Sequence, residues 1–174
     1  MKTNYKISMR KITTFIFDVD GVLTNGGVFM FPGQEPVRMF NSKDGFALQL
    51  AIRKGFRIGV ITGGRSEGVI ERLKALGIID IYTRAHNKIE AYRDFVAIHD
   101  LQDEEILYMG DDLPDYEVMQ RVGVACAPND AAPEILSIAH YVSPQAGGQG
   151  CARDVIEQTL KVQQKWLPQS DWTW

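Results

Sequence analysis

Short runs of β-branched and aromatic residues alternate along this chain with longer stretches of helical periodicity, and no other feature narrows its fold so far. The runs predict strands at Ile12–Asp18, Arg57–Ile61, Ile79–Tyr82, Ile106–Met109 and Val122–Ala125. Helical patterns cover Asp44–Lys54, Ser66–Leu76, Lys88–His99, Leu113–Arg121, Ala131–Ala139 and about Arg153–Trp166. Gly55 and Gly77 supply stops for the first two. Strands separated by helices run parallel with right-handed crossovers. The expected fold class is therefore α/β: a parallel sheet flanked by helices on both faces. Between Val28–Phe31 and Pro36–Phe40, the turn-rich PGQE predicts a β-hairpin inserted at about 26–40.

The 174 residues suit a single domain spanning 1–174, with about 167–174 as a C-terminal tail. Nineteen basic and 22 acidic residues are interleaved to a net charge of −3, which offers no surface for nucleic acid or an acidic membrane. No apolar run approaches the ~20 residues that span a bilayer. The N-terminal MKTNYKISMRK is basic but has no following apolar stretch, so a cytoplasmic location is expected. Cys126 and Cys151 are too few for a disulfide framework and are expected to be reduced, structural thiols.

Ligands bind open α/β sheets outside the carboxyl ends of the strands. Three predicted strands end there in polar clusters: DVDG from Asp18, TGGRS from Thr62 and GDDLPD from Gly110. Gathered in one crevice, Asp18, Asp20, Asp111, Asp112 and Asp115 would repel one another unless a cation or protons intervened. Donors that are all oxygen favour a hard ion such as magnesium. His86, His99 and His140 fall outside these clusters and are expected to be surface or core histidines. Lys88 can bring an ammonium to a phosphate; Thr62, with Gly63 and Gly64, can bring a hydroxyl and close backbone. The chain has no GxxxxGK[ST] loop and no plausible histidine-based triad. Direct attack by a carboxylate remains. Asp18 would attack phosphorus, and Asp20, two residues on and on the same side of the strand, would protonate the leaving oxygen and then activate water.

In order and position these residues resemble the haloacid dehalogenase superfamily of aspartyl-phosphate phosphatases. DVDGVLT is similar to its first motif, Thr62 stands at the second, Lys88 fits the third and GDDLPD the fourth. The resemblance implies a Rossmann-like fold, with Asp18 as nucleophile and Asp20 as general acid and base. It further implies magnesium held by Asp18, the backbone carbonyl of Asp20, and Asp111, with Asp112 and Asp115 supporting the loop, and phosphate held by Thr62, Gly63 and Lys88. The gaps between motifs leave no room for a cap domain. DVDGVLT, FNSKDGFALQL, ITGGRSEGVIERLKALGI and GGQGCARDVIEQTL together resemble a capless subfamily acting on phosphorylated sugar acids. That subfamily's pattern ends in Glu where this chain has Asp154, and often has Arg directly after TG where this chain has Gly64 and then Arg65.

The resemblance implies an eight-carbon sugar-acid phosphate as substrate and a homotetramer in which hairpins assemble and neighbours complete each site. A nine-carbon sugar-acid phosphate and a non-catalytic module of the kind joined to cytidylyltransferases are the alternatives. A carboxylate far from the phosphate calls for a further cation, and Lys43, Arg65 and Arg72 are the candidates, with Lys43 expected at the mouth of the site. Trp166, Trp172 and Trp174 all lie in the last nine residues, which suggests that this end docks on its own chain or on a neighbour.

Overall fold

The structure is a computed structural model and describes residues 4–166. Its strands are β1 (Thr14–Phe17), β2 (Arg57–Ile61), β3 (Asp80–Tyr82), β4 (Ile106–Met109), β5 (Val124–Ala127) and β6 (Tyr141–Val142). They form one sheet in the order β3-β2-β1-β4-β5-β6, with every pairing parallel. The helices are α1 (Tyr5–Met9), α2 (Ser42–Arg53), α3 (Glu67–Ala75), α4 (Lys88–His99), α5 (Tyr116–Met119), α6 (Pro133–Ile138) and α7 (Cys151–Val162).

Strand alternation divides the core in two, because successive side chains leave opposite faces. Phe15, Phe17, Val60, Leu107, Met109 and Val124 pack with residues of α1, α2, α3 and α7. Ile16, Ile61, Tyr108 and Ala125 pack on the other face, with residues of α4, α5 and α6. Phe15, Ile16 and Phe17 are wholly buried, each contributing about 2 kcal/mol by removal from water. Gly59 is the small residue that lets Phe95 of α4 lie against β2, since a Cβ there would come within 2.9 Å of the ring.

The doubly covered parallel sheet expected from the sequence is present, with local differences. β5 begins two residues later than predicted. Gly123 instead closes a turn against residues 103–104, donating its N–H to the Asp103 carbonyl at 2.7 Å. The helix predicted over Leu113–Arg121 is a tight turn at Leu113–Asp115 followed by the short α5. The predicted hairpin is reduced to one antiparallel bridge, in which Phe29 and Val37 exchange two 3.0 Å hydrogen bonds. Ser66 precedes α3 but does not cap it with its own hydroxyl. Glu35 of the hairpin takes that place, accepting from Ser66 Oγ at 3.0 Å and from the Glu67 N–H at 3.1 Å. Trp166 packs on its own chain beside Arg153 and Lys161, whereas Trp172, Trp174 and the tail 167–174 lie outside the described residues.

Candidate active site

The three strands with polar ends are neighbours at the centre of the sheet, β2-β1-β4, so their carboxyl ends meet. Asp18 continues the β1 ladder by one bond, its N–H donating to the Met109 carbonyl at 3.0 Å. One step beyond Phe17, alternation sends its side chain to the α4 side, where Lys88 opens the helix. Lys88 Nζ lies 2.8 Å from Asp18 Oδ1 and 2.7 Å from Asp115 Oδ1, and all three side chains are buried. Burial works against the ammonium's charge, but Asp18 and Asp115 outweigh it and leave Lys88 more firmly protonated than usual.

Asp115 organises the acidic loop. Its Oδ1 also accepts from the Tyr108 hydroxyl at 2.5 Å, and its Oδ2 accepts from the N–H groups of Asp111 and Asp112 at 3.1 and 3.3 Å. Gly110 makes the fold-back possible: a Cβ there would lie 2.3 Å from Asp115 Cγ. Asp112 faces outward and accepts from the Leu113 N–H at 2.8 Å. Gly21, after the DVD sequence, has φ +93° and no room for a Cβ, which would fall 2.0 Å from Asp111 Oδ2.

Asp18, Asp111 and Asp115 each place one carboxylate oxygen within 4.8 Å of the others. Burial, then the charge of Asp115, raise Asp18 to about 6 even with Lys88 opposing. Burial, then Asp18 and Asp115, push Asp111 to about 8. A cluster of oxygen donors that resists losing its protons is what a hard divalent cation relieves, so the residues fit a magnesium ion.

These residues share a cavity of about 340 Å³ with Asp20, Thr62, Gly63, Gly64 and His86. Thr62 directly follows β2, and the segment leading to Lys88 is tied to it by the Ala85 N–H, which donates to the Thr62 carbonyl at 3.0 Å. Asp20 is not placed by strand alternation, because β1 has already ended. It sits in the following turn, and its carboxylate is gripped by Arg38 of the hairpin through bonds of 2.7 and 3.1 Å.

Residues 74–153 match the model of the haloacid dehalogenase-like hydrolases. The 3-deoxy-D-manno-octulosonate 8-phosphate phosphatase of Salmonella typhi is 34% identical over 165 residues, covering 95% of this chain and 88% of that one. The chain belongs to this hydrolase family. The crystal structure of the Yersinia pestis 3-deoxy-D-manno-octulosonate 8-phosphate phosphatase superimposes with a TM-score of 0.91 at 35% identity, over 93% of this chain and 88% of that chain. The Moraxella catarrhalis phosphatase, solved with a magnesium ion, a phosphate ion and KDO, superimposes with a TM-score of 0.91 at 28% identity, over 93% of each chain.

Within this haloacid dehalogenase-like hydrolase, the three candidate cations do not converge on the cavity. Lys43, expected at its mouth, is exposed beside a different hollow lined by Gln149, Arg153 and Glu157. The next residue explains this: Asp44 is buried and accepts from the Arg153 N–H at 2.7 Å, which pins α2 to α7 and turns Lys43 outward. Arg72 lies across Gly45 of α2 and lines the groove beneath the hairpin. Arg65 borders a small hollow beside Asp20 but is paired with Glu67 at 2.6 Å. His86, read from the sequence as remote, is in the cavity wall. His99 instead bonds Asp80 at 3.0 Å, and His140 accepts from the Ala125 N–H at 2.9 Å. Arg38 was not singled out by the sequence, where it is one cation in an unremarkable PVRMF.

Proposed function

We propose that this protein hydrolyses 3-deoxy-D-manno-octulosonate 8-phosphate to the free sugar acid and inorganic phosphate, through a phosphoryl group carried on Asp18. The observation that carries this reading is the buried Asp18–Lys88–Asp115 array at the carboxyl edge of the sheet, open to a cavity that also holds Asp20 and Thr62. The Salmonella typhi and Yersinia pestis relatives, named for that substrate, support it.

Asp18 attacks phosphorus, and Asp20 gives a proton to the departing sugar oxygen. Asp20 then accepts a proton from the water that attacks the phosphoryl-aspartate, releasing phosphate and restoring Asp18. Lys88, the Thr62 hydroxyl and the Gly63 backbone bind the phosphoryl oxygens, where preorganised donors lower the barrier as charge spreads. Asp18, the Asp20 carbonyl and Asp111 would hold magnesium, which supplies charge neutralisation at those oxygens. Asp112 and Asp115 hold the loop in shape, and Asp115 aims Lys88.

The exposed hairpin supports the homotetramer reading. Phe29, Met30, Phe31 and Met39 are each more than half exposed, apolar side chains that another copy of the chain would cover. Such an assembly would allow Lys43, Arg65 or Arg72 of a neighbour to reach the sugar carboxylate. Buried, unpaired Cys126 and Cys151 support a reducing, cytoplasmic setting, and the whole of 1–174 is read as one phosphatase domain. No helix among the described residues is long and apolar enough to cross a membrane.

Assay with magnesium on the eight-carbon 8-phosphate and a nine-carbon sugar-acid 9-phosphate tests the substrate. A higher kcat/KM for the eight-carbon compound is expected, and the opposite ranking would overturn it.

A further inference from the structure

Asp20 carries the proton in the reaction above, yet nothing in its own stretch of backbone fixes its side chain. It lies beyond the end of β1, followed by Gly21 at φ +93°. Beyond one long bond from Thr24, its orientation comes from eighteen residues away. Arg38 Nε donates to Oδ1 at 2.7 Å and Nη2 donates to Oδ2 at 3.1 Å, while Thr24 Oγ1 donates to Oδ1 at 3.3 Å. Such a fork sets the plane of a carboxylate as well as its place, because rotation about the terminal bond breaks one of the two contacts.

The guanidinium is itself held. Its Nη1 donates to the Pro36 carbonyl at 3.3 Å, so all three nitrogens are used, and the side chain is only 12% exposed. Three residues earlier, Glu35 ties the same segment to the start of α3 through Ser66 and Glu67. The arm that reaches Asp20 is thus anchored to the element that follows the Thr62-Gly63-Gly64 turn.

We infer that Arg38 is a positioning residue that orients the Asp20 carboxyl toward the leaving oxygen of the substrate. The inference rests on Asp20 being the acid and base. In the first half-reaction the phosphorus–oxygen bond of the ester breaks as the Asp18–phosphorus bond forms, and the Asp20 proton passes to the departing oxygen. The carboxylate that remains is the form the Arg38 fork holds. In the second half it takes a proton from water as the new phosphorus–oxygen bond forms and the Asp18–phosphorus bond breaks. Proton transfer falls off sharply with misplacement of the donor, so an Asp20 free to swing would serve poorly an ester that needs the proton and matter little to one that does not.

Two esters without a carboxylate separate this role from substrate binding: glycerol 3-phosphate, whose alkoxide must be protonated, and p-nitrophenyl phosphate, whose phenolate leaves unaided. kcat/KM reports steps only as far as the phosphoryl-enzyme, which removes the second half-reaction from the comparison. Arg38→Ala is expected to lower kcat/KM for glycerol 3-phosphate by about tenfold or more, and that for p-nitrophenyl phosphate by less than about threefold. Added guanidinium ion is expected to restore part of the loss. Arg38→Lys, which keeps the charge without the fork, should shift the ratio the same way, and it carries the test if the alanine variant does not fold. An unchanged ratio in the folded variants would overturn the inference, whether both esters lose equally or neither does. Asp20→Asn checks the premise separately: if it turns over glycerol 3-phosphate normally, the acid–base assignment fails, whatever Arg38 does.

Discussion

The ammonium of Lys88 lies 2.8 Å from the carboxylate of Asp18, inside the protein and at the one sheet edge where three polar strand ends converge. Neither group would be tolerated there alone. Lys88 offsets two carboxylates, Asp18 and Asp115, and is in turn kept charged by them.

Lys88→Met should therefore do two things at once. Losing a preorganised donor to the phosphoryl oxygens is expected to lower kcat by about 10²–10³-fold. Leaving buried Asp18 and Asp115 without a counter-charge is expected to cost about 3–5 kcal/mol at neutral pH. Steady-state kinetics and denaturant melts of the metal-free protein read the two separately. A variant with near-normal kcat would remove Lys88 from the phosphate site.

Asp111 provides a pH test with a defined sign. Its folded-state pKa is raised to about 8 from the ordinary 3.8. The metal-free folded protein therefore binds more protons than the unfolded chain through that interval, and Asp111 destabilises the fold increasingly as pH rises from about 4 to about 8. Asp111→Asn removes the ionisable group. The variant's metal-free Tm should exceed wild type at about pH 8, the difference vanishing toward about pH 4. Magnesium should raise the wild-type Tm at about pH 8 and the variant's much less. A variant less stable than wild type throughout would contradict the crowding that makes this a cation site.

The late GGQG segment braces the DVDG turn. Gly148 donates its N–H to the Val22 carbonyl at 2.8 Å, and a Cβ on Gly147 would lie 2.0 Å from the Gly21 carbonyl oxygen. Gly147→Ala must push the turn that carries Asp20. Destabilisation of about 1–3 kcal/mol is expected from the overpacking, with kcat falling more than KM rises. Unaltered kinetics and melting would show that the brace is not needed.

The hairpin offers a test of assembly. In the proposed assembly, replacing Phe29 and Met30, both about two-thirds exposed, with glutamate should leave the protomer folded and lower the mass seen by light scattering. Retention of the larger mass would place the contact elsewhere.

Much of the site was legible because its chemistry sits at strand ends, where a local pattern announces both element and position. Asp18, Thr62 and Asp111 needed only the rule that parallel strands share a carboxyl edge, and Lys88 was reached as the first residue of the helix after the third strand. Arg38 and Glu35 could not be found that way. Their partners are Asp20, Ser66 and Glu67, and only the path of the hairpin brings them together. Lys43 and Arg72 lie away from the cavity of their own chain, because a cation near a motif in sequence need not face it. Asp44 and Gly45, between two packed helices, decide which way those side chains go. α1, of five residues, and β6, of two, are too short to show any period and were missed.

Covalent capture of phosphorus on Asp18 tests the account most directly. The protein is mixed with magnesium and the sugar-acid phosphate, quenched in acid within a turnover, digested and examined by mass spectrometry. A phosphoryl group on the peptide containing Asp18, absent from Asp18→Asn along with all turnover, is the expected result. Undiminished phosphate release by Asp18→Asn, with no modified peptide in either protein, would contradict it.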